Sequence, residues 1–464
     1  MKKQCNIVEL FSGIGSQAKA LKNLGYDVNA LGTCEWDLHA FIAYDAIHSS
    51  TDIPADIDML TKPELLEQLK GYTLSNSGKE KMDYKTLRTY SEPVLKRILT
   101  AIRRNNNFVD VSSLTGEQMP EDIDILTYSF PCQDLSNVGA FHGYNKGIDK
   151  DSGSRSSLLW QVGRILKEMY DEGKALPRYL LMENVPTLLA ERHRNNFKIW
   201  MQDLQNLGYL NYYYELNALL FGLPQNRPRL LMISVYVGEN EVRKKQVDDF
   251  FRGKDSKKIV EEYRRSKYYK QQTVSDLLRI NYKNKKLFAE AVECTPNDTV
   301  SRQTIWKENP QIILEGGSVN PEIKFIRTIT TKQDRNPNSG NLYFESGIEG
   351  KSHFRYLTPR ECLLFMGFTD EDYRNIVKCN PEVHKGSVLF PRDKIIRMAG
   401  NSIPVKLLEG VFYQILLLDK KIQRHYGRTR QKDKKLQYVK NQGEEYKAGR
   451  NSPQVSLLKR ISLS

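Results

Sequence analysis

Apolar residues fall into short β-like runs that alternate with stretches of helical spacing from the start of the chain. Ile7, Val8, Glu9 and Leu10 form a strand pattern that breaks at Phe11, Ser12, Gly13, Ile14 and Gly15. Ala18, Leu21 and Leu24 then recur at helical spacing up to Gly25, and residues 28–32 give a second strand with Glu35 and Trp36 just past its end. Residues 108–111 read as a third strand ending in an acid, and residues 123–128 as a fourth that runs into Ser129, Phe130, Pro131 and Cys132. Leu158, Leu159, Val162, Ile165, Leu166 and Met169 mark an amphipathic helix. A fifth strand over 179–182 delivers Glu183, Asn184 and Val185 to the edge that carries Cys132. Phe197, Trp200, Met201, Leu204 and Leu207 make a further helix stopped by Gly208, and strands over 212–216 and 230–237 flank Gln225, Asn226, Arg227, Pro228 and Arg229. Strands alternating with helices in this way predict an α/β fold.

Two stretches interrupt the alternation. Residues 49–107 read as a polar helical insert without chemistry of its own, with a helix start at 63–69 and an amphipathic helix through Val94, Leu95, Ile98 and Ile102. Arg103 and Arg104 at its end are expected to be structural rather than to touch phosphate. From Gly238 the texture turns basic, with Arg243, Lys244, Lys245, Arg264 and Arg265 among Tyr263, Tyr268 and Tyr269, and helical periodicity is poor beyond Leu278. The expected organisation is a catalytic domain over 1–237, a smaller basic domain over 238–353, a return to the first over 354–419, and a polar basic tail over 420–464. In the return segment, Thr358, Pro359 and Glu361 spell an N-cap, a first-turn proline and a capping box. A last helix through Val405, Leu408, Phe412, Ile415 and Leu416 should pack on the sheet.

Composition narrows the class. The 464 residues suffice for a large core, and 39% hydrophobic with 27% charged residues is ordinary for a globular protein. No apolar run is long enough to span a bilayer, so a cytoplasmic protein without membrane contact is expected. The six cysteines show no paired metal spacing, so free thiols and no metal are expected. A formal net charge of +14, with basic and aromatic residues clustered together, favours nucleic acid as a partner over a merely solvated basic surface.

Two places carry candidate chemistry. The glycine turn at 11–15 lets backbone approach a ligand, a helix N-terminus follows it, and Glu35 could accept from ribose hydroxyls, so the first β-α-β unit has the physics of a nucleoside site. Pro131 fixes the backbone at a strand exit and places Cys132 at the C-terminal edge of the sheet. A cysteine there is either a buried filler or a nucleophile. Residues 134–157, rich in Gly, Ser and Asn, read as a mobile loop rather than core, which favours the nucleophile.

Phe11-Ser12-Gly13-Ile14-Gly15, Glu35-Trp36, Ser129-Phe130-Pro131-Cys132-Gln133, Glu183-Asn184-Val185, Gln225-Asn226-Arg227-Pro228-Arg229 and Gly400-Asn401-Ser402 occur in an order that resembles the bacterial DNA (cytosine-5) methyltransferases of type II restriction-modification systems. The likeness covers about residues 4–235 and 325–418. It implies a Rossmann-like sheet that binds S-adenosylmethionine and releases S-adenosylhomocysteine, with a smaller domain that recognises the target sequence in duplex DNA. Cys132 would add to C6 of a flipped-out cytosine, Glu183 would serve N3, and Arg227 and Arg229 would hold O2 and the adjacent phosphate. Phe11, Ser12, Gly13, Ile14 and Gly15 would surround the methionine and ribose, Glu35 the ribose hydroxyls, Trp36 the adenine face and Asp110 the adenine amino group beside Val111. Pro131, Leu158, Asn401 and Ile403 would close that pocket. Gln133, Ser136, Gln225 and Thr328 would contact DNA. The resemblance further implies a monomer of bacterial or phage origin, and leaves open whether a restriction endonuclease is its functional partner. Rival readings are a tRNA cytosine-5 methyltransferase and a non-catalytic DNA-binding relative.

Overall fold

A computed structural model describes residues 3–131, 148 and 155–422. The chain divides into two units, residues 1–413 and 414–464. Within the second, the described residues 414–422 are helical, and most of the expected basic tail lies outside the described residues.

A six-stranded sheet organises the first unit. Strand β1 (Lys3–Leu10) leads through helix α1 (Ser16–Asn23) to β2 (Tyr26–Cys34) and α2 (Leu38–His48). The insert adds α3 (Glu92–Arg104), and β3 (Ile125–Tyr128) follows. Then come α4 (Leu159–Asp171), β4 (Tyr179–Asn184), α5 (Glu191–Asn206) and β5 (Tyr209–Asn217). A two-residue strand, β6 (Gln225–Asn226), precedes β7 (Pro228–Tyr236). The sheet order is β2-β1-β3-β4-β7-β5. β2, β1, β3 and β4 pair in parallel, and β7 lies antiparallel between β4 and β5.

The chain leaves β1 first to one side, for β2, and later to the other, for β3. The C-terminal ends of β1 and β3 therefore form a topological switch point, the crevice where open α/β sheets bind ligands. All six residues of β4 are buried, as expected of a parallel strand covered on both faces. On one face Val8, Leu10, Leu126, Leu180, Met182, Leu230 and Met232 pack with Val162, Ile165, Leu166 and Met169 of α4 and Phe197, Trp200 and Leu204 of α5. The hydrophobic spacing thus located both helices correctly.

The insert is helical as expected. Thr61 and Glu64 form a capping box over Lys62–Leu69, and α3 packs on that helix and on α2. Arg104 donates to Asp45 Oδ2 at 2.9 Å and to the Ser50 and Asp52 carbonyls, and Arg103 donates to Gln68. Arg103 is tied within the insert, and Arg104 ties the insert to α2.

Residues 108–111 do not form the expected strand. The Asn107 side chain accepts from Val109 N, Asp110 N donates back to the Phe108 carbonyl, and Val109 adopts φ 66°. These turn bonds consume the groups a ladder would need, leaving a single parallel bridge from Asn107 to Thr33. Between Leu278 and His353 the described residues hold two helices, Lys285–Glu293 and Val300–Glu308, where helical periodicity is poor. Ala291 is the one fully covered residue of the first, and Val300 is mostly exposed, so little apolar face was there to be read. Thr358 caps Pro359–Phe365 with the full capping box, and buried Val405, Leu408 and Phe412 mark the helix that begins at Val405.

Candidate active site

The C-terminal ends of β1, β2, β3 and β4 open onto a cavity of about 440 Å³. Glu35, Phe11 to Ile14, Ser129 to Pro131 and Glu183 to Val185 follow or end successive neighbouring strands and all line it. Three strand spacings of roughly 4.8 Å separate β2 from β4, so the site spans on the order of 14 Å from Glu35 to Glu183.

At the β1 exit the chain turns sharply. Phe11 takes φ 57°, and the Phe11 and Ser12 amides both donate to the Cys34 carbonyl. Gly15 starts α1 at φ 79°, and a Cβ there would lie 2.3 Å from His48 Nε2 and 2.7 Å from Tyr44, so only glycine fits. The Glu35 carboxylate accepts from Gly13 N at 3.1 Å and Asp37 N at 2.9 Å. Burial and the nearby Asp37 charge push the Glu35 carboxyl up to about 7, against the pull of those backbone donors. Beneath the turn, Glu9 is fully buried; its carboxylate accepts from Tyr44 Oη at 2.6 Å and Ala18 N at 3.2 Å, and burial holds it at about 7 as well.

The expected cofactor residues line this cavity: Phe11, Ser12, Gly13, Ile14, Glu35, Trp36, Asp110, Val111, Pro131, Leu158, Asn401 and Ile403. Gly15 does not; it is packed under the turn. Two observations fit the cavity to a polar nucleoside-bearing ligand. Ser12 Oγ is buried with no hydrogen-bond partner, and a Cβ on Gly13 would meet nothing within 4 Å. Sequence reasoning missed Val109, Ser112, Ser129 and Gly78 in the same wall. Gly78 comes from the insert and gave no motif signal.

At the other end, Glu183 Oε1 meets Arg229 Nε at 2.9 Å. Burial pushes the Glu183 carboxyl up, and the Arg229 and Arg227 charges pull it back only in part. Asn184 Nδ2 donates to the Phe130 carbonyl at 3.1 Å, and Ser156 Oγ donates to the Pro131 carbonyl at 2.6 Å. These bonds fix the backbone directly before Cys132. Cys132, Gln133 and Ser136 lie outside the described residues. The five other cysteines are all buried. Cys34 lines the cavity, but burial and the charges of Glu35 and Asp110 push its thiol up, which makes it a poor nucleophile.

Arg227 lines the cavity beside Glu183 and Arg229, and both its Nη atoms bond backbone carbonyls. It is 2% exposed, with Nη1 donating to the Ile329 carbonyl at 2.8 Å and Nη2 to the Gly400 and Ser402 carbonyls at 2.7 and 2.9 Å. Its guanidinium joins β6 to the segments at 329 and 400–402. Gly400 belongs to the same joint, since a Cβ there would lie 2.6 Å from the Thr330 and Thr331 backbone. Gln225 does not suit a DNA contact. It is fully buried, donates to the Phe365 carbonyl at 2.8 Å and accepts from Ile329 N at 3.0 Å. Thr328 is half-buried and donates to the Asn226 carbonyl at 2.6 Å.

A six-stranded sheet with one antiparallel strand and a cavity at its switch point is the architecture of the S-adenosylmethionine-dependent methyltransferases. The chain belongs to the C-5 cytosine-specific DNA methylases, whose family pattern matches residues 86–417. It is 30% identical over 415 residues to the type II methyltransferase M2.ScrFI of Lactococcus lactis subsp. cremoris, covering 88% of this chain and 98% of that one. It is 30% identical over 417 residues to the orphan methyltransferase M.SssI of Spiroplasma monobiae, covering 89% and 97%. In fold it is similar to the crystal structure of S. pombe Dnmt2 methyltransferase, at TM-score 0.51 and 16% identity over 89% of this chain and 98% of that one. The protein is thus a DNA (cytosine-5) methyltransferase. No helix among the described residues is long and apolar enough to cross a membrane.

Proposed function

We propose that the protein methylates C5 of a cytosine turned out of a specific short duplex DNA sequence, through a transient bond between Cys132 Sγ and cytosine C6. The observation that carries this reading is the meeting, in one cavity at one sheet edge, of the Phe11–Glu35 cradle, the Glu183–Arg229 pair and the pinned backbone at Pro131. Cytosine C5 is a poor nucleophile because its ring is neutral and aromatic. Addition of the Cys132 thiolate at C6 moves electron density onto C5. Glu183, whose burial favours its protonated form, supplies a proton at N3 as charge reaches the ring. Arg229 orients Glu183 and holds the base at O2, while Arg227 keeps the surrounding backbone in place. S-adenosylmethionine, when bound, supplies an electrophilic methyl group and leaves as S-adenosylhomocysteine. Once C5 has taken the methyl group, a base removes the C5 proton, the C6–S bond breaks to return Cys132 as thiolate, and the N3 proton goes back to Glu183.

A stacked base does not expose C6, so the nucleotide has to leave the helix. In this reading residues 238–353 hold the backbone and read base edges, with Thr328 near the target nucleotide and Gln133 and Ser136 against the DNA. The protein works as a monomer in the cytoplasm of a bacterium or a phage host, and a restriction endonuclease of the same target sequence is the functional partner this reading allows. Radiolabelled methyl transfer to duplex DNA and to tRNA, with Cys132→Ala as control, tests it. Label in duplex DNA that Cys132→Ala abolishes is expected. Label in tRNA alone contradicts the substrate, and no label in either favours a binder. Exchange of residues 238–325 for a relative's segment should change the methylated sequence and leave cofactor affinity intact; unchanged specificity would place the reader elsewhere.

A further inference from the structure

The insert contributes to the cavity, although its sequence carries no motif. Its Ser75 pairs with the chain just past β2, with Ser75 N donating to the Trp36 carbonyl at 2.8 Å and Leu38 N to the Ser75 carbonyl at 3.0 Å. Ser75 Oγ donates to the Glu80 carbonyl at 2.6 Å and accepts from Gly78 N at 2.9 Å, which folds residues 75–80 into a tight loop. Gly78 of that loop lines the cavity beside Glu35, Trp36 and Asp37, and its Cβ position lies 3.1 Å from Asp37 Oδ2.

The loop is fastened from the far side of the site. Arg397 lies on the helix Arg392–Asn401, which also supplies Met398, Gly400 and Asn401 to the cavity wall. Arg397 Nη2 donates to Asp37 Oδ2 at 2.6 Å, and its Nη1 donates to the Ser77 carbonyl at 2.9 Å. One planar fork therefore grips the tip of β2 and the insert loop together, a geometry that a lysine point charge cannot copy. Lys394, one turn earlier, adds a bond to the Asn76 carbonyl at 2.8 Å. Asp37 is otherwise held by His39, through its backbone N and ring Nδ1 at 3.2 and 3.1 Å. Arg397 itself does not line the cavity.

We propose that Arg397 is a positioning residue for the cofactor: by joining Asp37 to the Ser77 carbonyl it fixes the insert loop as the outer wall of the nucleoside end and so sets cofactor affinity. The inference rests on S-adenosylmethionine as the ligand of this cavity. Arg397→Gln should raise KM for S-adenosylmethionine and Kd for S-adenosylhomocysteine about tenfold, the size of one lost charge-assisted hydrogen bond. Arg397→Lys should recover part of that loss. At saturating cofactor, kcat and KM for DNA should stay within about twofold of wild type, a split that general loosening of the fold would not give.

The measurement is calorimetric titration of S-adenosylhomocysteine into the full-length wild type, Arg397→Gln, Arg397→Lys and Lys394→Gln, with melting curves alongside. Should Arg397→Gln fail to fold, Lys394→Gln decides, with a rise of about threefold in Kd and an unchanged kcat expected. Equal affinity in wild type and the folded variants overturns the latch. Absence of binding to the wild type itself overturns the cofactor reading instead.

Discussion

The two ends of the cavity answer buried charge in different ways. At the nucleoside end, the carboxylates of Glu35 and Glu9 are met by Gly13 N, Asp37 N, Ala18 N and the Tyr44 hydroxyl, which are neutral donors. At the transfer end, Glu183 faces the guanidinium of Arg229, with the Arg227 charge nearby. At the nucleoside end burial dominates, joined at Glu35 by the Asp37 charge, and both Glu9 and Glu35 stay near 7. Arginine offsets the burial of Glu183 in part, so this carboxyl is raised yet keeps a charged partner. A binding shelf needs an acceptor of fixed shape; a proton-handling site needs an acid whose charge can change. Under the proposed function the first end binds the cofactor and the second handles a proton.

The largest effect expected from breaking this contrast is at the transfer end. Glu183→Gln keeps the shape but removes the exchangeable proton, and should lower kcat by about 10²- to 10³-fold with little change in S-adenosylhomocysteine affinity. Equal losses in both would show that Glu183 serves the shelf instead. Arg227→Ala removes three charged donors and strands three buried carbonyls, so the melting transition should report a loss of about 3 kcal/mol or more. A loss of activity at unchanged stability would return Arg227 to the substrate.

At the nucleoside end, Glu35→Gln should weaken S-adenosylhomocysteine binding by about tenfold to a hundredfold. In the wild type, hydroxyl donors favour the ionised carboxylate. Affinity should therefore fall as pH drops through about 7, and Glu35→Gln should flatten that slope in calorimetry. The smallest effect is at Glu9, which lies beneath the shelf. Its folded-state value of about 7 stands above the ordinary 4.5, so its contribution to stability is complete below about 4.5 and is lost as pH rises through about 7. The difference amounts to about 3 kcal/mol at most, and melting at pH 5 and pH 8 should show Glu9→Gln losing less than wild type on going to the higher pH.

Legibility in the sequence follows the same physics. Residues at the strand ends were legible because turns and strand exits demand particular types: glycine where a Cβ would strike Tyr44, a proline before Cys132, an acid past β2. The helices α4 and α5 were legible because each buries a continuous apolar face. Helices 285–293 and 300–308 were not, because they bury little and carry no such face. Val109 was read as strand because a backbone turn held by Asn107 leaves no hydrophobic trace. Gln225 was assigned to DNA by motif position, which marks where a residue stands in the chain but not whether its side chain points to a ligand or to a neighbouring carbonyl. Gly78, Asp37 and Arg397 meet only in the folded chain, across 360 residues between the last two.

The most direct measurement is a mass analysis of the protein after incubation with S-adenosylmethionine and duplex DNA in which every cytosine of one strand is 5-fluorocytosine. Fluorine replaces the proton that must leave C5, so elimination stops and the nucleotide stays attached. A nucleotide bonded to the peptide that contains Cys132 is the predicted result. An adduct on another residue, or none while unsubstituted duplex of the same sequence is methylated, would contradict attack by Cys132 at this cavity.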